Sequence, residues 1–401
     1  MNIAFLCQYN PYIETSATAN RIRGLVEGLS ILGHHITLVV AGGQLKQNEA
    51  KCFVSEYPNI KVVYISFANH YNGIIGRLNT YFFYNWHTLR SKRKFRKMIS
   101  HEIFDIIWLS NNGCILNIFL KLSDSIKAKT LIELNEYNDI YKVASGNLLQ
   151  RRMGLKGNKN FIEAVHRIDL FAVMTETLIA HYKQLAKPEA QFLHLPMTVD
   201  LTRFVKVKYE ANEYRYPYIA FTGTMNNQKD GVDILIKSFA VIAEKYPELH
   251  LYLAGFWHYD VPAQEKLIKE FGLADRIHHI GVLDRDSIPP FVSNAALLAL
   301  SRPDTHQAQG GFPTKLGEYL ATANPVCVTR VGEIPLYLKD NESAFLATPG
   351  DVNSFADAMD RALCNEENAK QVGANGRKVA EEHFNAAVQS KRLADFLAMN
   401  R

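Results

Sequence analysis

Short apolar runs alternate with amphipathic stretches from the first residues onward. NIAFLC, at positions 2–7, reads as a core strand, and after a polar loop comes ANRIRGLVEGLSILG, where Ile22, Leu25, Val26, Leu29 and Leu32 share one face at helical spacing. Gly33 stands where a helix C-cap belongs, and HITLVV supplies the next strand. Parallel strands need such a crossover between them, so this unit feeds a parallel sheet. KVVYISF, DIIWLS, KTLIEL and DLFAVMT continue the series as nearly unbroken apolar strands, as in a sheet covered on both faces. The chain then turns charged and tyrosine-rich at VKVKYEANEYRYPY, and the pattern restarts. YIAFT reads as a strand, VDILIKSFAVIAEKY as a helix with Val232, Leu235, Ile236, Phe239 and Ala243 on one stripe, and LHLYLAG as the next strand. RIHHIGV, ALLALS and PVCVTRV add strands, and from Asn353 the periodicity is helical to the last residue.

This pattern predicts an α/β chain with two Rossmann-like parallel-sheet domains, 1–205 and 217–378, a linker at 206–216, and a helical tail, 379–401, expected to pack back on the first domain. A length of 401 residues agrees, because single cores rarely grow so large. Two such sheets are expected to face a central cleft at their strand C-termini, where ligands bind in this architecture. A net charge of +5 is too diffuse for a nucleic-acid footprint, so no nucleic-acid partner is expected. Cys7, Cys52, Cys114, Cys327 and Cys364 are odd in number and scattered, which suits a reducing cytoplasm better than a disulfide framework. The start MNIAFLCQYN lacks a basic n-region and a cleavage site, and no apolar run approaches the roughly 20 residues of a membrane span. Membrane contact is therefore expected to be peripheral at most.

The stretch GGFPTKLGEYLATANPV, 310–326, carries the chemistry. Pro313 suits the first position of a helix, Leu316, Tyr319 and Leu320 give its apolar face, and Asn324-Pro325 ends it. Thr314, Lys315 and Leu316 then lie in the first turn, where free N–H groups and the helix dipole attract phosphate. Gly310 and Gly311 would let a ligand approach the backbone, so this helix start is expected to be open. Lys315 adds a point charge, and Glu318, one turn further in, can accept two hydrogen bonds from a diol. A diphosphate followed by a ribose describes a nucleotide sugar. The competing reading is a plain turn with a Lys315–Glu318 ion pair at i,i+3.

These residues resemble the retaining nucleotide-sugar glycosyltransferases of glycosyltransferase family 4, which have the GT-B fold. Glu318 falls on the second glutamate of that family's Glu-(seven residues)-Glu motif; Gly310 stands in place of the first, with Gln307 and Gln309 as the nearest substitutes. LPMTVDLTRF is similar to the inter-domain segment at Pro196, Val199, Asp200 and Phe204. In FTGTMNNQKDGVDILIKSF, Gly223 is expected to begin a tight loop, Lys229 matches the lysine that pairs with the donor diphosphate, and Thr224 replaces a frequent arginine. LAGF with Gly255 and HIGV ending at Val282 match the loops that hold the nucleobase through backbone groups. The resemblance thus implies a donor site of Gly223, Thr224, Gly255, Val282, Gly311, Phe312, Pro313, Thr314, Leu316 and Glu318, with Lys229 and Lys315 stabilising the departing diphosphate. On the acceptor side, QYNPYIETSATANR offers the small residues Ser16, Ala17 and Thr18, and Arg21 to face an acceptor or a leaving phosphate. Many members carry a histidine after a mid-domain strand, where this chain reads LIELNEYND; Glu133, Asn135 and Glu136 are the candidates, Glu136 ranked first as a catalytic residue.

The implied activity is transfer of a hexose-like group to a hydroxyl with retention, in cell-surface glycan or polysaccharide assembly. A GT-B epimerase or phosphorylase and a non-catalytic scaffold are the alternatives. Neither first strand is followed by G-x-G-x-x-G, which disfavours a nicotinamide enzyme. No cofactor or metal is expected: Asp284-Arg285-Asp286 reads as a polar loop with Asp286 capping the next helix, and the adjacent pairs His34-His35 and His278-His279 point to opposite faces. TYFFYNWHTLRSKRKFRK, 80–97, is either an anionic-membrane patch or a solvated helix face. The basic run QRRMGLKGNKN favours the membrane and with it a lipid-linked glycan acceptor.

Overall fold

The computed structural model describes residues 1–7, 9–13, 16–40, 56–65, 92–98, 101–111, 116, 120, 127–138, 148–204 and 214–401. Contacts divide the chain into two units, Met1–Leu195 with Gln389–Arg401, and Pro196–Val388.

The first unit holds a seven-stranded parallel sheet: β1 (Asn2–Cys7), β2 (His35–Val40), β3 (Ile60–Tyr64), β4 (Ile106–Leu109), β5 (Lys129–Leu134), β6 (Leu170–Val173) and β7 (Gln191–His194). The order is β3-β2-β1-β4-β5-β6-β7, so the winding reverses between β1 and β4, where binding pockets form in open α/β sheets. Alternation along β1 sends Ile3, Phe5 and Cys7 to one core and Ala4 and Leu6 to the other. The first core takes the apolar stripe of the Ala17–Ile31 helix together with Leu393, Ala394, Phe396 and Leu397 from the Ala386–Met399 helix. Gly33 follows the helix with φ +83°, a left-handed conformation that glycine adopts without strain.

The second unit has a six-stranded parallel sheet: β8 (Tyr218–Thr224), β9 (His250–Phe256), β10 (Ile277–Gly281), β11 (Leu297–Leu300), β12 (Val326–Thr329) and β13 (Phe345–Ala347), in the order β10-β9-β8-β11-β12-β13. Val232, Leu235, Ile236 and Phe239 are fully buried on the predicted stripe of the Val232–Ile242 helix. Helices Val352–Cys364 and Glu366–Val379 start on side-chain caps from Asp351 and Asn365, and a π-helical turn, Ala380–Phe384, leads to the last helix.

The boundary at Leu195/Pro196 lies ahead of the expected 206–216 linker, of which 206–213 fall outside the described residues. Hydrogen bonds explain the shift: Val199 donates its N–H to the Phe384 carbonyl at 2.7 Å, and Ala386 donates to the Val199 carbonyl at 3.0 Å. Both 196–204 and 380–388 therefore belong to the second unit.

Gly223 does not begin a loop as expected; it lies within β8, directly opposite Gly255 of β9. Both have positive φ, +152° and +147°, and a Cβ on Gly255 would stand 1.6 Å from the Gly223 carbonyl oxygen. Gly255→Ala should cost at least ~2 kcal/mol of stability through backbone clash and strain. Gly350→Ala, at φ +75° with nothing nearby, should cost only ~1 kcal/mol; denaturant unfolding of both variants measures the difference.

Candidate active site

The Thr314–Ala321 helix forms as the apolar face of the sequence requires, with Leu316, Tyr319 and Leu320 buried. Its start is less open than two glycines implied. Gly310 ends a short helix, His306–Gly310, and Gly311 is extended at φ −104°, ψ 164°, a conformation any residue adopts. Pro313 is the N-cap and not the first helical residue. Gly311, Phe312 and Pro313 are all buried, because the Phe312 ring packs into an aromatic cluster, 5.7 Å from Tyr337 and 5.3 Å from Phe384. Partial exposure begins at Thr314, Lys315 and Glu318.

Lys315 does not pair with Glu318. Its Nζ lies 2.9 Å from Asp230 Oδ1 and 4.6 Å from the centre of the Phe221 ring. The ammonium also rests on Gly223, where an added Cβ would come within 2.1 Å of it. Burial pulls the Lys315 ammonium below the usual lysine range; Asp230 opposes this, while Lys229 and Arg302 add repulsion. Lys315 thus lies at the C-terminal end of β8 with Asp230 at ion-pair distance and two further cations, Lys229 and Arg302, near enough to act on it.

The loop that carries Lys229 is rigidly pinned. Asn226 Oδ1 accepts from the Lys229 N–H at 2.8 Å, Asp260 accepts from the Asn227 N–H at 2.8 Å, and Asn226 also meets His258 at 3.0 Å. The Lys229 side chain itself is exposed, and Asp230, next in sequence, is buried. Thr224 ends β8, Gly255 sits in β9, and Val282, 57% exposed, follows β10, so all three lie at the C-terminal edge of adjacent strands.

Glu318 pairs with Arg203, Nη1 to Oε1 2.9 Å, and Arg203 Nη2 donates to the Arg285 carbonyl. Burial pushes the Glu318 carboxyl up, against the pull of Arg203, Arg285 and Lys315. Tyr319, on the same helix, accepts the Thr222 N–H at 2.7 Å and so fixes the helix to β8. Asp284, not Asp286, shapes the following turn: its carboxylate accepts from the N–H groups of Asp286 and Ser287, because the chain turns back over Asp284 and leaves Asp286 pointing to solvent.

In the first unit an open pocket, about 500 Å³ with its mouth, lies at the ends of β1, β4 and β5 and is lined by Thr18, Trp108, Asn111, Glu133 and Asn135 among others. Arg21 is only 2% exposed, paired with Glu133, and donates to the Leu195 carbonyl at 2.9 Å, so it braces the pocket wall through Glu133. Ser16 serves as the N-cap of the first helix, accepting from the Ala19 N–H at 3.3 Å. Glu136, ranked first in the sequence, is not among the lining residues, and its carbonyl accepts the Tyr182 hydroxyl at 3.1 Å.

Of the basic segment, 80–91 lie outside the described residues, and 92–98 are helical with Arg93, Arg96 and Lys97 exposed and Phe95 buried. The side chains of Arg151 and Arg152 also lie outside the described set. His278 meets His250 at 2.9 Å, and His279 meets Gln264 at 3.1 Å. Among the described residues no helix is long and apolar enough to cross a membrane.

Arg203, Asp230 and Tyr319 escaped the sequence reading although each lies within or beside a quoted motif. Only Tyr319 gave a signal, a hydroxyl on a helix face predicted to be apolar; Arg203 and Asp230 stand in segments whose burial the sequence did not indicate.

Two parallel sheets of seven and six strands with C-terminal helices are the GT-B fold. Sucrose-phosphate synthase from Thermosynechococcus elongatus superposes over 100% of both chains with a TM-score of 0.74 at 18% identity. Anabaena HepE, solved in complex with UDP and glucose, superposes over 100% of both chains with a TM-score of 0.70 at 15% identity. Residues 216–365 match the family described as Glycosyl transferases group 1. That match lies within the second unit and makes this part of the chain similar to group 1 glycosyltransferases. A relative by sequence is the MMP alpha-(1->4)-mannosyltransferase of Mycolicibacterium hassiacum, 30% identical over 121 residues, which are 30% of this chain and 28% of that one. Matches to curated relatives span between 28% and 56% of those proteins' lengths.

The buried Arg21–Glu133 pair makes a stability prediction. Arg21→Met should destabilise the first unit by ~1–3 kcal/mol by leaving the Glu133 carboxylate and the Leu195 carbonyl without their donor. Adding Glu133→Leu should recover most of that loss, and thermal or denaturant unfolding of the two variants checks it.

Proposed function

We propose that the protein transfers a sugar from a nucleoside-diphosphate sugar to a hydroxyl of a glycan or lipid-linked glycan, with retention of anomeric configuration. The observation that carries this reading is the Lys315 ammonium lying against side-chain-free Gly223 at the end of β8, with the exposed Lys229 near enough to act on it. A diphosphate resting there gains negative charge as the sugar leaves, and fixed cations in a partly dry site stabilise that charge more than they stabilise the bound donor. The buried Gly311–Pro313 segment shifts the anion site from the first helical amides to the side chains around Gly223.

Glu318 then accepts the ribose hydroxyls, and the edge formed by Thr224, Gly255 and Val282 takes the nucleobase. Thr18, Glu133 and Asn135 in the first-unit pocket receive the acceptor hydroxyl, with Arg21 holding Glu133 in place. That HepE was solved with UDP and glucose, and that the Mycolicibacterium relative is a mannosyltransferase, supports a hexose donor without fixing its base. The exposed Arg93, Arg96 and Lys97 support peripheral contact with an anionic membrane at the cytoplasmic face.

Calorimetric titration with UDP, GDP and their hexose conjugates tests the proposal. A transferase binds donor and hydrolyses it slowly, an epimerase converts it without acceptor, and a scaffold binds none. Lys229→Ala, which removes an exposed side chain, should leave unfolding unchanged and lower the transfer rate by ~10²-fold or more; an unchanged rate would contradict the leaving-group assignment. Charge reversal of Arg93, Arg96 and Lys97 should abolish flotation with anionic liposomes if the membrane contact is real.

A further inference from the structure

A carboxylate that is to grip two neighbouring hydroxyls must be an acceptor only, yet Glu318 sits where burial favours the neutral acid. A proton on Glu318 would occupy a position that a hydroxyl needs. The charged groups facing it are Arg203 from the Leu201–Phe204 turn, Arg285 from the loop before the Ile288–Ser293 helix, and Lys315 from its own helix, with Tyr319 beside it. Lys315 is already committed to Asp230 at 2.9 Å. Arg203 is different: one nitrogen reaches Glu318 Oε1 at 2.9 Å, another is tethered to the Arg285 carbonyl, and the side chain is only 11% exposed. Anchored at both ends, the guanidinium cannot swing into solvent.

We propose that Arg203 is a positioning residue that orients the Glu318 carboxylate toward a vicinal diol of the bound ligand. It uses one of roughly four lone-pair sites on the carboxylate and leaves the rest for hydroxyls. Its charge also draws the Glu318 carboxyl back toward the ionised form, against the burial that pushes it up. The inference rests on the nucleotide-sugar reading above.

The sign of the effect follows from electrostatics. Removing Arg203 raises the Glu318 pKa, so ligand affinity is lost as pH falls through a higher midpoint than in the wild type. Binding of UDP and GDP is measured from pH 5.5 to 8.5 for wild type, Arg203→Met and Arg203→Lys, beside inorganic pyrophosphate and the 2′,3′-dideoxy nucleoside diphosphates. Arg203→Met should move the midpoint up by about one pH unit, a tenfold loss at the lower pH, and should bind parent and dideoxy ligands alike. Pyrophosphate affinity should stay unchanged, which a general folding defect would not allow. Arg203→Lys keeps the charge but not the tether, so its midpoint should stay near the wild type while hydroxyl discrimination falls. A wild-type midpoint with full hydroxyl discrimination in Arg203→Met overturns the proposal, as does full discrimination in Arg203→Lys should the Met variant not fold. If the wild type binds dideoxy and parent ligands equally, the assignment of Glu318 to a ribose fails instead, whatever Arg203 does.

Discussion

A lysine ammonium held out of bulk water is the constraint on which the second unit's chemistry depends. Lys315 is tolerated there because Asp230 lies at ion-pair distance and the Phe221 ring offers its negative face. Each neighbour has its own support: Ser301 Oγ donates to the Gly231 carbonyl beside Asp230, and Tyr319 locks the lysine's helix onto β8. Lys229 and Arg302 act on the same ammonium in the opposite sense to Asp230. The result is a polar centre whose charge is fixed before any ligand arrives, which is the condition under which electrostatic stabilisation costs no reorganisation.

The first unit applies the same economy with the roles exchanged. There an arginine is buried and a glutamate keeps contact with an open pocket. Arg21 also donates to the Leu195 carbonyl at the very end of that unit's chain segment. Buried ion pairs of this kind add little net stability over apolar packing, but they forbid rearrangements that would separate the partners. In the first unit the charged residue that lines the pocket is therefore held by a partner that is not among the lining residues.

Much of the architecture could be read from the chain because nearly every described strand is a continuous apolar run, and helices such as Ala17–Ile31 and Val232–Ile242 show one apolar stripe. The strands that went unread, Gln191–His194 and Phe345–Ala347, are short edge strands whose length carries no periodicity. Among the candidate residues, the placements of Lys315 in the first turn of a helix and of Gly255 near a strand end were legible because such ends announce themselves locally. The partners were not. Arg203 meets Glu318 across a separation of 115 residues and Arg21 meets Glu133 across 112, and nothing local specifies such pairings. The same blindness misjudged the two glycines: their freedom suggested an opening, while Phe312 between two other aromatic rings closes it.

The strand-like bridge between Val199 and Asn385 has a practical meaning for anyone dissecting the molecule. A fragment cut to the family match, 216–365, would discard Arg203 and the aromatic cover supplied by Phe384, and would expose the flank of Gly317 on which Met197 now rests. The second unit is one whose two ends are laced to each other, so exchange of this half between homologous chains has to carry both flanking ribbons together.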